Sequence, residues 1–275
     1  MAAETELFPG AVTWEFQRQW QGDWYPYVPS IAEGPDGYAA LIGTNNTVRP
    51  KGAAPQPDDW RTATTPGGVV FTRNYFSLLD DHLRPIEWVE EPQPNLPLNF
   101  PQIQGIGEPR LCWQNGAWRW AGMSRQHLDS GIANAVTGTV GSPEVEIVPA
   151  RNGEWVKNPM PSKIGIIDLY HQTDPPQHGS GVAPYNDGFL CIVHRYEHYH
   201  RPGMFSEHRF ALLDARGIVE RLSGPFRFSD WPLDIVAGIV FHHGDVVLSY
   251  SRQDRETYLV RIPLHEVLDW IEETA

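Results

Sequence analysis

Segments with the pattern of β-strands, separated by turn residues, make up nearly all of this chain, and helical periodicity is almost absent. Only the tail PLHEVLDWIEETA is typical of a helix. Its apolar side chains follow the i, i+3, i+4, i+7 spacing of one helical face: Leu264, Val267, Leu268 and Ile271. Elsewhere, apolar or alternating runs end at Gly, Asn or Asp. The sequence therefore predicts an all-β fold with a short C-terminal helix.

A β-hairpin is predicted most clearly in the stretch RLCWQNGAWRWAGMS. Asn115-Gly116 lies between two hydrophobic runs, and Asn-Gly is the strongest short hairpin signal because both residues tolerate the positive φ of a type I′ turn. In the second strand, Trp118 and Trp120 share one face, since side chains alternate along a strand. We expect these tryptophans to pack between sheets; a platform that stacks a sugar is the alternative.

Strand pairs recur along the chain at intervals of about 40 to 60 residues, near positions 38, 70, 111, 164, 190 and 240. Short antiparallel sheets repeated without crossover helices are typical of a β-propeller, with a sandwich or jelly roll as the alternative. At about 50 residues per blade, a chain of 275 residues predicts a five-bladed β-propeller. The proline-rich segments RPKGAAPQPDD and EEPQPNLPLNFPQ are interpreted as loops between blades, so residues 1–275 are expected to form a single domain.

Charge, hydropathy and cysteine content narrow the classes of function. A net charge of −13 argues against a protein that grips nucleic-acid phosphates through a broad basic face. No apolar run approaches the roughly 20 residues that span a membrane, and the N-terminus lacks the features of a secretory signal. Cys112 and Cys191 lie in apolar strand-like runs, which favours buried thiols in a reducing cytoplasm over a disulfide. We therefore expect a cytoplasmic protein without nucleic-acid or membrane partners, and its oligomeric state stays open.

Several short motifs follow one another in a fixed order. From the N-terminus they are VPSI (28–31), IGTNN, GEPRL (107–111), WVKNPMP (155–161), HGSGVAPYNDGFLCIVH, SEHRFALLD, PFRF and VLSYSRQDRE. In this order they resemble the five-bladed propellers of carbohydrate-active enzymes, namely β-mannoside phosphorylases and related glycosidase-like and glycosyltransferase propellers. The resemblance runs from about residue 28 to about residue 270. The chain departs from it where Glu108 replaces an Asp, where Gly107 replaces the preceding Glu, and where an Arg of the first blade is absent.

The resemblance implies two candidate carboxylates. Breaking a glycosidic bond needs a proton donor at the bridging oxygen and a nucleophile, a base-activated water or a phosphate opposite it. Glu108, directly before Pro109, is the candidate general acid or base; the alternative is that it only pairs with Arg110 at the start of a strand. Asp254, in SYSRQDRE, matches the family Asp after the last inner strand and is the second candidate.

Basic and polar residues are predicted to bind the substrate or an anion: Asn45, Arg110, Arg125, Lys157, His194, His208 and Arg209. Lys157 matches a family lysine that contacts an anionic group, and an arginine fork holds two oxygens at once. The stretch from His194 to Arg209 contains four His and three Arg, which favours a positive pocket for phosphate or for the leaving group of an activated sugar. The alternatives are solvated or buried structural side chains and, for His198 and His200, a metal site. No zinc pattern accompanies these histidines, so no metal is predicted, and no cofactor beyond phosphate or an activated sugar as co-substrate.

The predicted function is that of an enzyme acting on a small-molecule sugar. It would transfer a glycosyl unit as a glycosyltransferase or a glycoside phosphorylase. Two alternatives stay open: a glycoside hydrolase of the same fold, and a non-catalytic sugar-binding propeller. The hydrolase requires a second acid that flanks the bond. The altered residues around Glu108 are what the decay of an active site would produce, which is the basis of the sugar-binding alternative.

Overall fold

The computed structural model describes residues 8–17, 24–45, 70–95, 103–104, 106–125, 133–148, 160–162, 165–167, 172, 178–197, 205–228, 234–252 and 256–275. Strands dominate these residues, and the single described helix ends the chain. The strands are β1 (Val12–Gln17), β2 (Tyr25–Gly34), β3 (Gly37–Asn45), β4 (Val70–Leu78), β5 (Val89–Glu90), β6 (Ile103–Gln104), β7 (Gly107–Gln114), β8 (Ala117–Arg125), β9 (Ala133–Thr139), β10 (Val145–Ile147), β11 (Met160–Ser162), β12 (Gly165–Ile167), β13 (His178–Tyr185), β14 (Gly188–Glu197), β15 (Phe205–Leu213), β16 (Val219–Leu222), β17 (Asp234–His242), β18 (Asp245–Arg252) and β19 (Glu256–Pro263). The helix is α1 (Leu264–Thr274).

The strands form four antiparallel sheets. In each sheet named below, the strand given first is the innermost one. We call them blade A (β2-β3-β4-β5, with β6 parallel to β4), blade B (β7-β8-β9-β10), blade C (β13-β14-β15-β16) and blade D (β17-β18-β19-β1). The inner strand of blade A contacts the inner strands of blades B and D, and the inner strand of blade C contacts that of blade D. This arrangement of sheets around a common centre is a β-propeller.

The predicted all-β propeller with a C-terminal helix is therefore confirmed, but the predicted number of blades is wrong for the described residues, which form four blades and not five. The strand pair expected near residue 164 is represented by β11 and β12, which pair at only three positions. Among the described residues these two strands form a sheet of their own with no further strand. The two-stranded sheet lies between blades B and C, because β11 contacts both β7 and β13.

The predicted hairpin and helix are confirmed in detail. Asn115 and Gly116 connect β7 to β8 with φ angles of 53° and 78°, the positive values that a type I′ turn requires. Helix α1 buries Val267 and Ile271, which are two of the apolar residues that predicted it. Both cysteines are free thiols, as expected; Cys191 is fully buried and Cys112 is partly exposed.

The N-terminal and C-terminal parts of the chain close the propeller together. Strand β1 pairs with β19 and so completes blade D from the opposite end of the sequence. Just before β1, Phe8 is 1% exposed and packs edge-on against Phe210, Phe226 and Trp270. The apolar contacts of Phe8 therefore join blade C, the closing strand and α1.

The hydrophobic core consists of layers between adjacent blades. Trp120 of blade B is 5% exposed and lies in a cluster with Ala39 and Leu41 of blade A, while Trp118 packs against the Phe76 ring with a centroid distance of 6.0 Å. The prediction that these tryptophans pack between sheets is confirmed. Each blade packs one of its faces against each neighbouring blade. Both faces of a strand are therefore buried, and its sequence is a continuous apolar run.

Candidate functional site

All four inner strands carry a β-bulge near their beginning. The pairing shifts between Tyr27 and Ser30 in β2, between Gly107 and Arg110 in β7, between Gly179 and Val182 in β13, and between Val236 and Gly238 in β17. Bulges redirect side chains and are frequent next to active sites. We call the end of the propeller at which the inner strands begin, and at which these bulges lie, the entry end.

Glu108 forms the bulge of β7 in an unfavourable backbone conformation. Its φ is 49°, in the left-handed region that side chains other than glycine rarely adopt, and Pro109 follows directly. Val28, which precedes Pro29 in the bulge of β2, has a φ of 46°. The motifs VPSI and GEPRL therefore occupy equivalent places in blades A and B. The strain therefore marks the bulges of both blades and is not specific to Glu108, whereas the carboxyl group is what Glu108 adds at this position.

Arg110 holds the bulge of Glu108 from inside the protein. Its side chain is 1% exposed; Nε donates to the carbonyl of Gly179 in β13 (3.1 Å), and Nη1 donates to the carbonyl of Glu108 (2.9 Å). Nη2 lies 3.9 Å from Glu108 Oε2, a distance that permits attraction but exceeds a hydrogen bond. The Glu108 side chain keeps 23% of its surface exposed. Arg110 thus fixes mainly the backbone of Glu108 and leaves its carboxylate accessible.

Buried serines connect the bulges of neighbouring blades. Ser30 Oγ accepts a hydrogen bond from the Leu111 N–H (2.8 Å) and donates to the Ala237 carbonyl (3.4 Å). Ser249 of β18 donates to the Pro29 carbonyl (2.6 Å). These bonds satisfy backbone groups that the bulges remove from the regular ladder. The entry end is therefore held in one conformation by contacts that join blades A, B and D.

A buried carboxylate at the entry end was not identified from the sequence. Asp234 is the first residue of β17 and is 2% exposed, and its N–H donates to Ser206 Oγ (3.0 Å). Its Oδ1 lies 3.9 Å from Nε of Arg252, its cross-strand partner, whose guanidinium lies 4.7 Å from the centre of the Tyr258 ring. The one sequence signal is an acid placed directly before the apolar run IVAGIVF, and many strands begin in this way.

The structure brings two of the predicted histidines together. His194 and His208 are cross-strand partners in blade C, both are fully buried, and their ring centroids are 5.8 Å apart. His208 also packs against Phe226 and Phe228, and neither of its ring nitrogens has a hydrogen-bond partner among the described residues. Burial, and secondarily the charge of Arg227, lowers the pKa of His208 to about 3. His208 is therefore neutral at pH 7.

Arg209 shares a buried carboxylate with Arg195. Glu207, which is 5% exposed, accepts from Arg195 Nε (3.1 Å) and Nη2 (3.2 Å), and from Arg209 Nη2 (3.3 Å). The two arginine side chains remain 26% and 24% exposed. Two guanidinium groups around one carboxylate leave one positive charge in excess, which is favourable for an approaching anion.

The other predicted site residues are placed by their strands or lie outside the described residues. Asn45 and Arg125 are the last residues of β3 and β8, and these strands run antiparallel to the inner strands β2 and β7. Both residues therefore lie at the entry end, as Glu108 does. Four predicted positions are not among the described residues: Lys157, His198, His200 and Asp254.

Two kinds of feature do not occur among the described residues. No group of three or more His, Cys, Asp or Glu side chains in them is arranged to hold a metal ion. None of their helices has the length and apolar character needed to cross a membrane.

Comparison with known proteins shows the fold. No family model matches the chain, and no curated protein matches its sequence. Among solved structures, the chain is similar to a β-1,2-mannobiose phosphorylase from Listeria innocua, with a TM-score of 0.58 and 11% identity over 96% of this chain and 99% of that one. It is also similar to a GDP-Man-dependent mannosyltransferase (TM-score 0.54, 10% identity, 92% and 89% covered) and a mannose phosphorylase (TM-score 0.53, 10% identity, 90% and 87% covered), both from Leishmania mexicana. At such identities these likenesses establish a shared propeller fold.

Proposed function

We propose that this protein is a carbohydrate-active enzyme that transfers a glycosyl unit, either to inorganic phosphate or from an activated sugar to an acceptor. The observation that carries the proposal is the accessible carboxylate of Glu108, held on a strained bulge at the entry end by the buried side chain of Arg110. The fold is shared with two phosphorylases and a mannosyltransferase that act on mannose-containing substrates, which supports this class of chemistry.

In this proposal Glu108 is the general acid or base. A carboxyl group can protonate the bridging oxygen as the glycosidic bond breaks, and it can accept a proton in the reverse direction. Catalysis of this kind requires placement to within about an ångström. Arg110 acts as a positioning residue, because its hydrogen bond to the Glu108 carbonyl ties the catalytic strand to blade C through Gly179. Asp254 is retained as the second carboxylate.

The co-substrate is proposed to be anionic, and basic residues at the entry end would attract it. Arg209 has supporting evidence, since it and Arg195 surround a single carboxylate and stay partly exposed. His208 is fully buried and neutral at pH 7, so it would neither contact the co-substrate nor add charge. Asn45, Arg125 and Lys157 complete the proposed binding wall, whereas Arg110 and His194, also predicted from the sequence to bind the anion, are buried and would support the wall from inside the protein.

The proposal is tested by measuring turnover of two kinds of substrate. One series contains β-linked mannobioses, glucosides and arabinosides, each with and without inorganic phosphate; the other contains nucleotide sugars with a sugar acceptor. We expect formation of a sugar 1-phosphate in the first series or release of a nucleotide in the second. Glu108→Gln should reduce turnover by about a hundredfold or more, the usual contribution of general acid–base catalysis. Glu220→Gln, an exposed position on outer strand β16, is the matched control.

The other outcomes identify the alternatives. Release of free sugar that does not depend on phosphate would show a glycoside hydrolase. Saturable sugar binding without any product would show a non-catalytic binding propeller. Full turnover of any substrate by Glu108→Gln would exclude Glu108 from the chemistry.

A further inference from the structure

A cavity lies at the end of the propeller opposite the entry end. Its volume is about 390 Å³, and it is lined by the later parts of all four inner strands. These parts lie next to the hairpin turns that lead to the second strand of each blade. Glu108 and Trp113 are five positions apart on β7, which corresponds to roughly 16 Å of extended strand. The cavity is therefore distinct from the candidate catalytic site.

The walls of the cavity are mainly apolar and aromatic. Leu111, Ala183 and Phe189 are buried lining residues, and the partly buried Trp113 adds a second aromatic ring. Trp113 is held from the side by Trp118, with ring centroids 5.3 Å apart at an angle of 77°. Cavities of about 300 to 1,000 Å³ with apolar walls and a few polar groups are the usual sites for small ligands. An apolar ligand of modest size fits this one.

The charge at the cavity is negative. Glu33 is an acidic lining residue and lies exposed at the rim, and none of the described lining residues is basic. Burial raises the pKa of the Cys112 thiol to about 12, so this lining residue is uncharged at pH 7. Arg119, the cross-strand partner of Cys112, lies 3.9 Å from Glu146 and is not part of the lining. The net charge of −13 adds to the attraction for a cation.

We propose that this cavity binds a small aromatic cation, of the arylalkylamine class. The ring would lie among Trp113, Phe189 and the aliphatic walls, and the ammonium group would lie near the Glu33 carboxylate at the rim. Tryptophan is also the side chain that attracts cations most strongly through its ring. The site is independent of the proposed glycosyl transfer, and its test needs no turnover.

Three probes of nearly equal size separate the contributions of ring and charge. Calorimetric titration at pH 7 would compare 2-phenylethylamine, 2-phenylethanol and 3-phenylpropionate with the full-length protein. We expect saturable binding of the amine, about two- to fivefold tighter than that of the alcohol because the Glu33 ion pair is exposed, and the weakest binding for the carboxylate. Glu33→Gln should remove this preference, so that the amine and the alcohol bind with equal affinity. Glu220→Gln should leave all three affinities unchanged.

A cavity-filling substitution locates the binding. Val182 is a partly buried lining residue, and Val182→Phe should abolish binding of both the amine and the alcohol. Absence of saturable amine binding up to about 10 mM would overturn the proposal, as would equal amine binding by the protein and Glu33→Gln, or full binding by a folded Val182→Phe. If Val182→Phe does not fold, the Glu33→Gln titrations decide by themselves.

Discussion

The backbone of Glu108 lies in a conformation that its side chain does not favour, and the residue that stabilises it is only two positions away. Arg110 donates to the Glu108 carbonyl and, in blade C, to the carbonyl of Gly179. Strained conformations cost on the order of 1–3 kcal/mol and persist only where the surroundings impose them. The GEPR tip therefore combines a strained residue with the buried guanidinium that imposes its conformation.

His208 should make the folding free energy depend on pH. Its pKa is about 3 in the folded protein and about 6.5 when unfolded, so between these values the unfolded chain binds a proton that the folded protein does not. Stability should therefore fall as the pH decreases from about 6.5 towards about 3, by up to roughly 1.4 kcal/mol per pH unit from this residue. Urea unfolding of the protein and of His208→Leu at pH 7, 6 and 5 measures this pH dependence of the unfolding free energy.

The exposed residue His265 in α1 provides the control for that measurement. His265→Gln should keep the pH dependence of the parent protein, whereas His208→Leu should make it shallower. A slope that is the same in His208→Leu and in the parent would show that His208 is not the neutral buried group described above.

Turn residues could be read from the sequence, whereas buried polar residues could not. Asn115 and Gly116 act through local backbone preference, so their role needs no knowledge of the rest of the chain. The role of Arg110 depends on the carbonyl of Gly179, 69 positions later in the sequence. Asp234 escaped for the same reason, since its burial results from packing between strands.

At the scale of single elements, strands and helix were predictable but the bulges were not. Apolar runs and turn signals identify the strands, and the spacing of Val267 and Ile271 identifies α1. The bulge of β17, in contrast, lies where two inner strands approach each other closely. At Gly238, a Cβ would overlap the backbone nitrogen of Ile31 and lie 2.8 Å from its carbonyl oxygen.

Gly238→Ala should therefore destabilise the junction between β17 and β2. The added methyl group meets backbone that cannot move without disturbing both strands, and overpacking of this kind costs about 1–3 kcal/mol. Gly181→Ala is the matched control in the bulge of β13, because its Cβ would lie 3.5 Å from the Ala237 carbonyl, an ordinary contact. Urea unfolding should show a clear loss of stability for Gly238→Ala only; equal losses would contradict the close approach.

At the scale of the whole molecule, the recurrence of strand pairs correctly predicted a propeller, but the number of blades derived from it was wrong. Sequence spacing shows that strand pairs recur, but it does not show how many strands each interval contributes. Between Ile147 and His178, the described residues contain only the three-residue strands β11 and β12. The closure of blade D by β1 joins distant parts of the sequence, so local sequence patterns could not predict it either.

Phe8 should contribute strongly to the stability of the closed propeller. It is 1% exposed and contacts rings from blade C and from α1, so Phe8→Ala should cost about 3–5 kcal/mol of unfolding free energy. Val12, in the adjoining strand β1, is 47% exposed, and Val12→Ala should change stability by about 0.5 kcal/mol or less. Similar effects of both substitutions in urea unfolding would contradict the proposed role of Phe8.

The central claim is that the accessible carboxylate of Glu108 performs acid–base chemistry on a glycosidic bond. The most direct measurement is the rate of product formation, on the best substrate found, by the parent protein, Glu108→Gln and Glu108→Asp. A carboxylic acid shortened by one methylene should keep part of the activity, whereas the amide, which cannot exchange a proton, should lose about a hundredfold or more. Parent-like rates for Glu108→Gln would contradict the claim.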